Sequence, residues 1–131
     1  MATQYRRGRH SVTNLQAHLI FVPKYRRNVF TLESLAILRK SMETVAISMG
    51  FEIIEFNGES DHVHLLIEYP PKLSISTLVN HLKGVSSRMY RQHGFKSPHS
   101  EHLWSPSYFA VSVGGAPLAV LKEYIKNQKS P

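Results

Sequence analysis

Two histidines, His62 and His64, have the spacing in this sequence that most directly suggests chemistry. They lie in a predicted strand from His62 to Tyr69, in which successive side chains point to opposite faces of a sheet. Both imidazoles therefore share the face opposite an apolar row that begins at Val63, and they are close enough to bind one divalent cation. Exposed histidine pairs are also common on sheets that bind no ion, so the pair alone is compatible with either interpretation.

A tyrosine and a glutamine lie one helical turn apart near the end of the sequence. Tyr124 and Gln128 belong to a helix predicted over residues 117–128, and their spacing makes them face the same way. The phenol could attack phosphorus as a covalent nucleophile, with Lys122 or Lys126 offsetting the charge on the phosphate. The amide oxygen of Gln128 could complete a site for a hard cation such as Mg²⁺ or Mn²⁺, or for zinc. Packing against the core is the commoner role of such a tyrosine, and that alternative stays open.

The elements that position these residues follow one another as strand, helix, strand, strand, helix, strand and final helix. Apolar residues recur every three or four positions in two long segments, whose predicted N-caps are Thr31 and Ser74. Asn57-Gly58 is a strong signal for a hairpin turn between the second and third strands. This is the split β-α-β-β-α-β pattern of an α+β, ferredoxin-like sandwich, with an antiparallel sheet and both long helices on one face. The predicted strands span residues 15–22, 51–56, 62–69 and 108–113.

The size and charge of the chain restrict its class. Its 131 residues, of which 42% are hydrophobic, predict one folded domain with a basic tail over residues 1–13. A net charge of +7 favours a polyanionic partner such as nucleic acid or an anionic membrane surface. The absence of cysteine excludes disulfides and thiolate metal ligands. We expect a cytoplasmic protein, because we find neither a secretory signal nor an apolar run of membrane-spanning length.

Four parts of the sequence resemble the small single-tyrosine HUH transposases, which mobilise insertion sequences as single-stranded DNA, and their relatives, the REP-associated tyrosine transposases. The resemblance covers nearly the whole chain. His-hydrophobic-His is a weak motif alone, but its combination with Tyr-x-x-x-Gln on the last helix and Lys-Tyr-Arg-Arg after the first strand is specific. The matching segments are residues 19–22 with 24–27, 61–67, 103–109, and 124–125 with Gln128.

The resemblance implies a role for each of the candidate residues. His62, His64 and Gln128 would hold Mg²⁺ or Mn²⁺, and Tyr124 would attack the scissile phosphate. The product would be a 5′-phosphotyrosine link with a free 3′-hydroxyl, formed without a nucleotide cofactor. The family also implies single-stranded DNA with a hairpin as the partner, no membrane, and a prokaryotic homodimer whose final helix can deliver its tyrosine to the other subunit. Gly114-Gly115, before that helix, would be a hinge or an ordinary tight turn.

Basic and aromatic residues are expected to contact the DNA. Phosphate contacts position DNA without reading its sequence, and Tyr25 or Trp104 could stack an unpaired base. For each of these residues a solvated or core position is the alternative. Asp61 would orient a ligand imidazole or simply end the hairpin turn. The expected DNA-binding residues are Lys24, Tyr25, Arg26, Arg27, Lys83, Arg88 and Trp104.

Two other functions are compatible with the same residues. One is a non-catalytic nucleic-acid-binding regulator of the same fold, and the other is a metal-dependent hydrolase of small phosphoesters. A second metal site in the loop at His99, Glu101 and His102 is disfavoured, because that loop provides no rigid frame. His18 and His81 have no assigned role.

Overall fold

The order of strands and helices follows the spacing of apolar residues along the chain. The computed structural model of the protein describes residues 5–99, 102–113 and 118–127. Within these ranges the α-helices are α1 (Leu32–Met49), α2 (Ile75–Gln92) and α3 (Leu118–Lys126). The strands are β1 (Arg6–Arg7), β2 (Val12–Thr13), β3 (Gln16–Phe21), β4 (Glu52–Glu59), β5 (His62–Glu68) and β6 (Phe109–Ser112).

An antiparallel sheet of four strands forms the centre of the described structure. Its strand order is β4-β5-β3-β6, which is the order of the split β-α-β-β-α-β sandwich. α1 and α2 pack on one face of this sheet, whereas α3 packs on the other. The fold class predicted from the sequence is therefore confirmed.

Both long helices begin at the predicted caps. Thr31 Oγ1 accepts a hydrogen bond from the Ser34 N–H at 3.2 Å, and Ser34 Oγ accepts one from the Thr31 N–H at 2.9 Å. This reciprocal pair is a capping box, which satisfies two backbone donors that the first helical turn leaves unpaired. Ser74 Oγ caps α2 by accepting from the Thr77 N–H at 3.2 Å. α1 ends at Gly50, whose φ of 83° lies in the left-handed region that favours glycine.

The main core lies between the two long helices and the sheet. Leu38 and Met42 of α1 and Leu78 and Leu82 of α2 are fully buried against the side chains of β3 and β5 that include Leu65. Burial of apolar side chains of this size stabilises the folded state by roughly 1.5–3 kcal/mol each. Because alternate residues of β3 and β5 point to the core, the intervening ones, including both histidines, face the side of α3.

Asn57-Gly58 is not the hairpin turn that the sequence predicts. β4 continues through both residues to Glu59, and the turn falls at residues 60–61. Gly58 pairs with Val63 on the core face of the sheet, where a β-carbon would lie 2.5 Å from Leu35 Cδ2 of α1. The glycine thus serves the close approach of helix and strand, and the turn contains Asp61, the residue before the first histidine.

We expect Gly58→Ala to lower the free energy of unfolding by about 1–2 kcal/mol, because the Leu35 methyl group must move to admit the new β-carbon. Leu35→Ala in the same chain removes that methyl group, so it should cost less in the Gly58→Ala background than in the wild type. Urea denaturation of the two single variants and the double variant measures this coupling. Strictly additive losses would contradict the steric explanation.

The segment predicted as a basic tail contains a small hairpin. β1 pairs antiparallel with β2, and the Arg6 guanidinium makes two hydrogen bonds to the Glu68 carboxylate at 2.6 and 2.7 Å. Glu68 is buried at the end of β5, so the ion pair joins the hairpin to the sheet. Strands of two residues have no detectable periodicity, which is why the sequence did not indicate them.

Candidate active site

The first histidine of the pair is oriented by the residue that precedes it. His62 Nδ1 lies 2.9 Å from Asp61 Oδ1, and Asp61 Oδ2 accepts a hydrogen bond from Arg26 Nε at 2.7 Å. Burial raises the pKa of Asp61, but its hydrogen bonds to His62 and Arg26 outweigh that effect and hold the pKa below its usual value. The carboxylate therefore fixes the ring of His62 and leaves Nε2 as the ring nitrogen available to a ligand.

The second histidine contacts a residue to which the sequence assigned no role. His64 Nε2 lies 2.9 Å from His18 Nδ1 on β3, and their ring centroids are 5.1 Å apart. Burial lowers the pKa of His64, and the nearby His18 and His62 lower it further against the opposing effect of Glu55. The lowered pKa favours the neutral form of His64, which is the form that binds metal ions. Alternation along β3 could have placed His18 on this face, but only the strand pairing shows its neighbour.

The tyrosine of α3 packs on the same face of the sheet as the histidines. Its ring lies 4.9 Å from that of Phe109, and it belongs to an apolar cluster with Ile20 and Val22. Ile20 is the direct cross-strand partner of His64, so Tyr124 rests against the immediate neighbours of the histidine pair within one chain. The structure thus places Tyr124 on the same face of the sheet as the two histidines.

The phenol of Tyr124 has a defined environment. Its oxygen lies 3.2 Å from Ser107 Oγ, in the loop before β6. Burial raises the pKa of Tyr124, and the hydrogen bond to Ser107 offsets this only in part. The phenol is therefore protonated at neutral pH. Ser107 lies within the segment 103–109 that resembles the family, but no role was predicted for it, since a single serine in a polar loop has no spacing that marks one.

The two described imidazoles are compatible with a divalent cation once an amide oxygen joins them. Neutral imidazoles and an amide oxygen are ligands for Mn²⁺ and, less strongly, for Mg²⁺. Among residues 5–99, 102–113 and 118–127, no group of three His, Cys, Asp or Glu side chains is arranged to hold a metal ion. An amide ligand such as Gln128 would be needed beside the histidines, but Gln128 lies outside the described residues.

Three of the expected DNA-binding residues, the half-buried Lys24 and Tyr25 and the exposed Arg27, form a cluster around one ring. The Lys24 ammonium and the Arg27 guanidinium each lie 5.7 Å from the centre of the Tyr25 ring. The ring also makes an edge contact with His99 at 6.0 Å. Arg27 is exposed, as is Arg88 on α2. These positions are compatible with phosphate contacts, whereas the Arg26 side chain points inward to Asp61.

Trp104 lies in the core rather than on a DNA-binding surface. It is 7% exposed, its ring makes edge contacts with Phe21 and Phe30, and its Nε1 donates to Ser86 Oγ at 3.0 Å. This corrects the expectation that the ring is open to stack a base. The polar Ser-Pro surroundings in the sequence suggested an exposed loop, whereas the isolated bridge between Trp104 and Pro23 draws the ring inward.

Lys83 anchors the loop that contains Ser107. Its ammonium donates to the carbonyl oxygens of Ser105 and Ser107 at 2.7 and 2.9 Å, beneath the rings of Phe21 and Tyr108. Burial lowers the pKa of Lys83 to about 8. The side chain thus holds the loop whose Ser107 contacts the Tyr124 phenol. This role differs from the direct phosphate contact expected from the sequence.

The lowered pKa of Lys83 predicts a pH-dependent stability. Between pH 8 and pH 9.5 the unfolded chain keeps a proton that folded Lys83 has lost, so the free energy of unfolding should rise with pH. Lys83→Met should lack this rise. The raised pKa values of Tyr90 and Tyr124 oppose this rise only as the pH approaches 10, where unfolded tyrosine begins to lose its proton, and both tyrosines are also present in the variant. Urea denaturation of both proteins at pH 7.5 and pH 9.5 tests the difference, and parallel changes would contradict it.

Other predicted features lie apart from this site or outside the described residues. His81 is exposed on α2, where its Nδ1 lies 3.0 Å from the Thr77 carbonyl oxygen. His99 and His102 stack on each other at 6.0 Å in the loop, but Glu101 lies outside the described residues, as does Gly114-Gly115. None of the described helices is both long and apolar enough to cross a membrane.

The sequence is similar to known transposases over most of its length. The family model of IS200-like transposases matches residues 11–128. The transposase of insertion sequence element IS200 from Salmonella typhimurium is 36% identical over 123 residues, which cover 91% of this chain and 80% of that protein. The ISDra2 transposase TnpA from Deinococcus radiodurans is 34% identical over 129 residues, covering 95% and 91% of the two chains.

Solved structures show the same relationship. The crystal structure of a Deinococcus radiodurans protein described as a transposase matches with a TM-score of 0.88 and 33% identity, covering 96% of this chain and 99% of that one. A REP-associated tyrosine transposase bound to a REP hairpin shares the fold, with a TM-score of 0.59 and 16% identity over 95% of this chain and 68% of that one. The fold and the relatives define a transposase, an enzyme that cleaves and rejoins DNA. The chain belongs to the family of IS200-like transposases.

Proposed function

We propose that this transposase cleaves and rejoins single-stranded DNA through a covalent bond between Tyr124 and a 5′-phosphate, at sites beside DNA hairpins. The observation that supports the proposal most directly is that Tyr124 packs on Ile20 and Phe109. Ile20 is the cross-strand partner of His64, so the tyrosine lies beside the histidine pair. Such a transfer needs a nucleophile and metal-binding side chains held close together, and one face of a rigid sheet can hold them.

The proposed reaction is a transesterification. The Tyr124 oxygen forms a bond to phosphorus, the bond from phosphorus to the 3′-oxygen breaks, and that oxygen leaves as a hydroxyl group. The phenol loses one proton and the leaving oxygen gains one, so neither water nor a nucleotide cofactor is consumed. The phosphotyrosine ester keeps the energy of the phosphodiester, and a 3′-hydroxyl of another strand can therefore reverse the attack and join the DNA.

The protein's own residues hold the reacting groups. Phe109 and the apolar cluster keep the Tyr124 ring in place, and Ser107 Oγ holds the phenol oxygen through a hydrogen bond. Positioning of this kind lowers the barrier because the entropy of bringing the groups together is lost on folding and binding. Asp61 keeps the ring of His62 in one orientation.

A Mg²⁺ or Mn²⁺ ion is the proposed cofactor, with His62, His64 and Gln128 as its ligands. When bound, such an ion stabilises the negative charge that develops on the phosphate oxygens. Two observations support these ligands: the lowered pKa of His64 favours its neutral form, and Asp61 engages Nδ1 of His62 and so leaves Nε2 for a ligand.

Hairpin recognition and a homodimer are the proposed modes of binding and assembly. The structural relative bound to a REP hairpin shares the fold, and Lys24 and Arg27, which flank the Tyr25 ring, could bind phosphates of such a stem. In the proposed homodimer the sheets of two subunits join, and α3 can serve its own subunit or the partner.

The sharpest test of this function is which fragment of the cleaved DNA becomes covalently attached to the protein. The protein is mixed with Mn²⁺ or Mg²⁺ and a library of single-stranded DNA that contains a hairpin followed by randomised bases, and the products are separated on a denaturing gel. Label at the 3′-end should stay on the protein, whereas label at the 5′-end should be released on a free fragment. Hairpin binding without any adduct would favour the non-catalytic regulator. Cleavage without a trapped protein would favour a hydrolase.

A further inference from the structure

One arginine joins the histidine pair to the tyrosine helix. Arg26 Nε donates to Asp61 Oδ2 at 2.7 Å, and Asp61 Oδ1 lies 2.9 Å from His62 Nδ1. The same guanidinium donates through Nη1 to the carbonyl oxygen of Lys126, the last residue of α3, at 3.3 Å. A continuous chain of hydrogen bonds therefore runs from the imidazole of His62 to the end of the helix that carries Tyr124.

The backbone around Arg26 is held in a conformation that side chains rarely adopt. Tyr25 and Arg26 have φ values of 63° and 48°, in the left-handed region that is unfavourable for residues with a β-carbon. The turn is fastened by the Arg26 N–H, which donates to the Pro23 carbonyl at 2.7 Å, and by the Lys24 N–H, which donates to the Leu103 carbonyl at 2.8 Å. Strain of this kind persists only where the surroundings enforce it, and it often marks a functional position.

The two contacts of the guanidinium differ in strength. The side chains of Arg26 and Asp61 are each 17% exposed, so their ion pair is shielded from water and its loss would leave a charge poorly compensated. The contact with Lys126 is longer and exposed. It is favourable because the last carbonyl groups of a helix lack partners within the helix and attract cations. The strong contact thus fixes the arginine, and the weaker one depends on where α3 lies.

We propose that Arg26 is a positioning residue that couples the docking of α3 to the orientation of His62. When α3 is docked, the guanidinium bridges the helix end and Asp61, and Asp61 holds the ring of His62 for the metal ion. When α3 leaves, one of the two anchors of the guanidinium is lost. The inference rests on the proposed function only in taking His62 as a metal ligand and Tyr124 as the nucleophile.

Amide hydrogen exchange of α3 in metal-free protein tests the first half of the proposal. We expect Arg26→Ala to speed exchange of residues 122–127 by about threefold to tenfold, because the contact with Lys126 is lost. Arg27→Ala is the matched control, since this neighbouring arginine is exposed and makes its described contact with the Tyr25 ring. Equal exchange in the wild type and Arg26→Ala would overturn the proposal.

Metal binding tests the coupling itself. Mn²⁺ affinity, measured by electron paramagnetic resonance, should fall by about tenfold in Arg26→Ala, as for other residues that orient a ligand, and Arg26→Lys should recover part of it. In a Gln128→Ala background, which removes the proposed direct link between metal and helix, Mn²⁺ should still slow exchange of α3. Adding Arg26→Ala to that background should abolish the slowing. Slowing that survives Arg26→Ala would overturn the coupling.

The outcome is separable from that of the proposed function. If the wild type forms no adduct with DNA, the phosphotyrosine mechanism fails, yet exchange and Mn²⁺ affinity still report on Arg26. If Arg26→Ala and Arg27→Ala both weaken hairpin binding equally and leave exchange and Mn²⁺ affinity unchanged, Arg26 is a phosphate contact and the coupling is rejected.

Discussion

Tyr124→Phe should reduce formation of the covalent protein–DNA adduct by on the order of 10⁴-fold or more, because the variant lacks the only oxygen that the proposed attack uses. The phenylalanine ring keeps the packing on Phe109 and loses the hydrogen bond to Ser107. The free energy of unfolding should therefore change by no more than about 1 kcal/mol. Hairpin affinity should remain within about twofold of the wild type, since the ring lies in an apolar cluster with Ile20 and Ile125.

The measurement is the denaturing-gel assay with DNA labelled at its 3′-end, followed by mass spectrometry of the modified peptide. Tyr69→Phe is the matched control, because Tyr69 is a half-buried tyrosine packed at the edge of the main core. It should form adduct at the wild-type rate. An adduct that forms normally in Tyr124→Phe, or that maps to another tyrosine, would reject the assignment of the nucleophile.

The double variant His62→Ala/His64→Ala should lose Mn²⁺ binding and at least about 10²-fold of the adduct rate, because two of the three proposed ligands are removed. Treatment of the wild type with a chelator should have a comparable effect, and added Mn²⁺ should restore the wild type but not the variant. Hairpin binding should persist, since phosphate contacts come from other side chains.

His81→Ala is the control for general effects of losing an imidazole, since His81 is exposed on α2. Thermal unfolding should accompany the assay, because His64 is half-buried and packs against His18. Wild-type rates of adduct formation in chelator-treated protein would refute a metal-dependent mechanism. A folded double variant that keeps full activity would do the same for these two ligands.

Local chemistry made the fold predictable from sequence. The caps at Thr31 and Ser74 and the apolar spacing of the two long helices depend on residues close in sequence, and the structure confirms each of them. The main failure was Asn57-Gly58. That pair is a good turn by local preference, but packing of the strand against Leu35 and pairing with β5 keep it extended. Tertiary contacts override turn preference when the alternative strand is longer and better packed.

The candidate site divides in the same way. Alternation along β5 determined that His62 and His64 share one face of the sheet. Helical spacing determined which surface of its own helix carries Tyr124. Both depend only on local backbone geometry. Which surface α3 meets depends on apolar burial between segments far apart in sequence, and only the tertiary structure decided it. The same is true of the pairs His18–His64, Arg26–Asp61 and Lys83 with its loop. Each of these joins residues more than twenty positions apart, and spacing along the chain has no information about such contacts until the sheet and helices have packed.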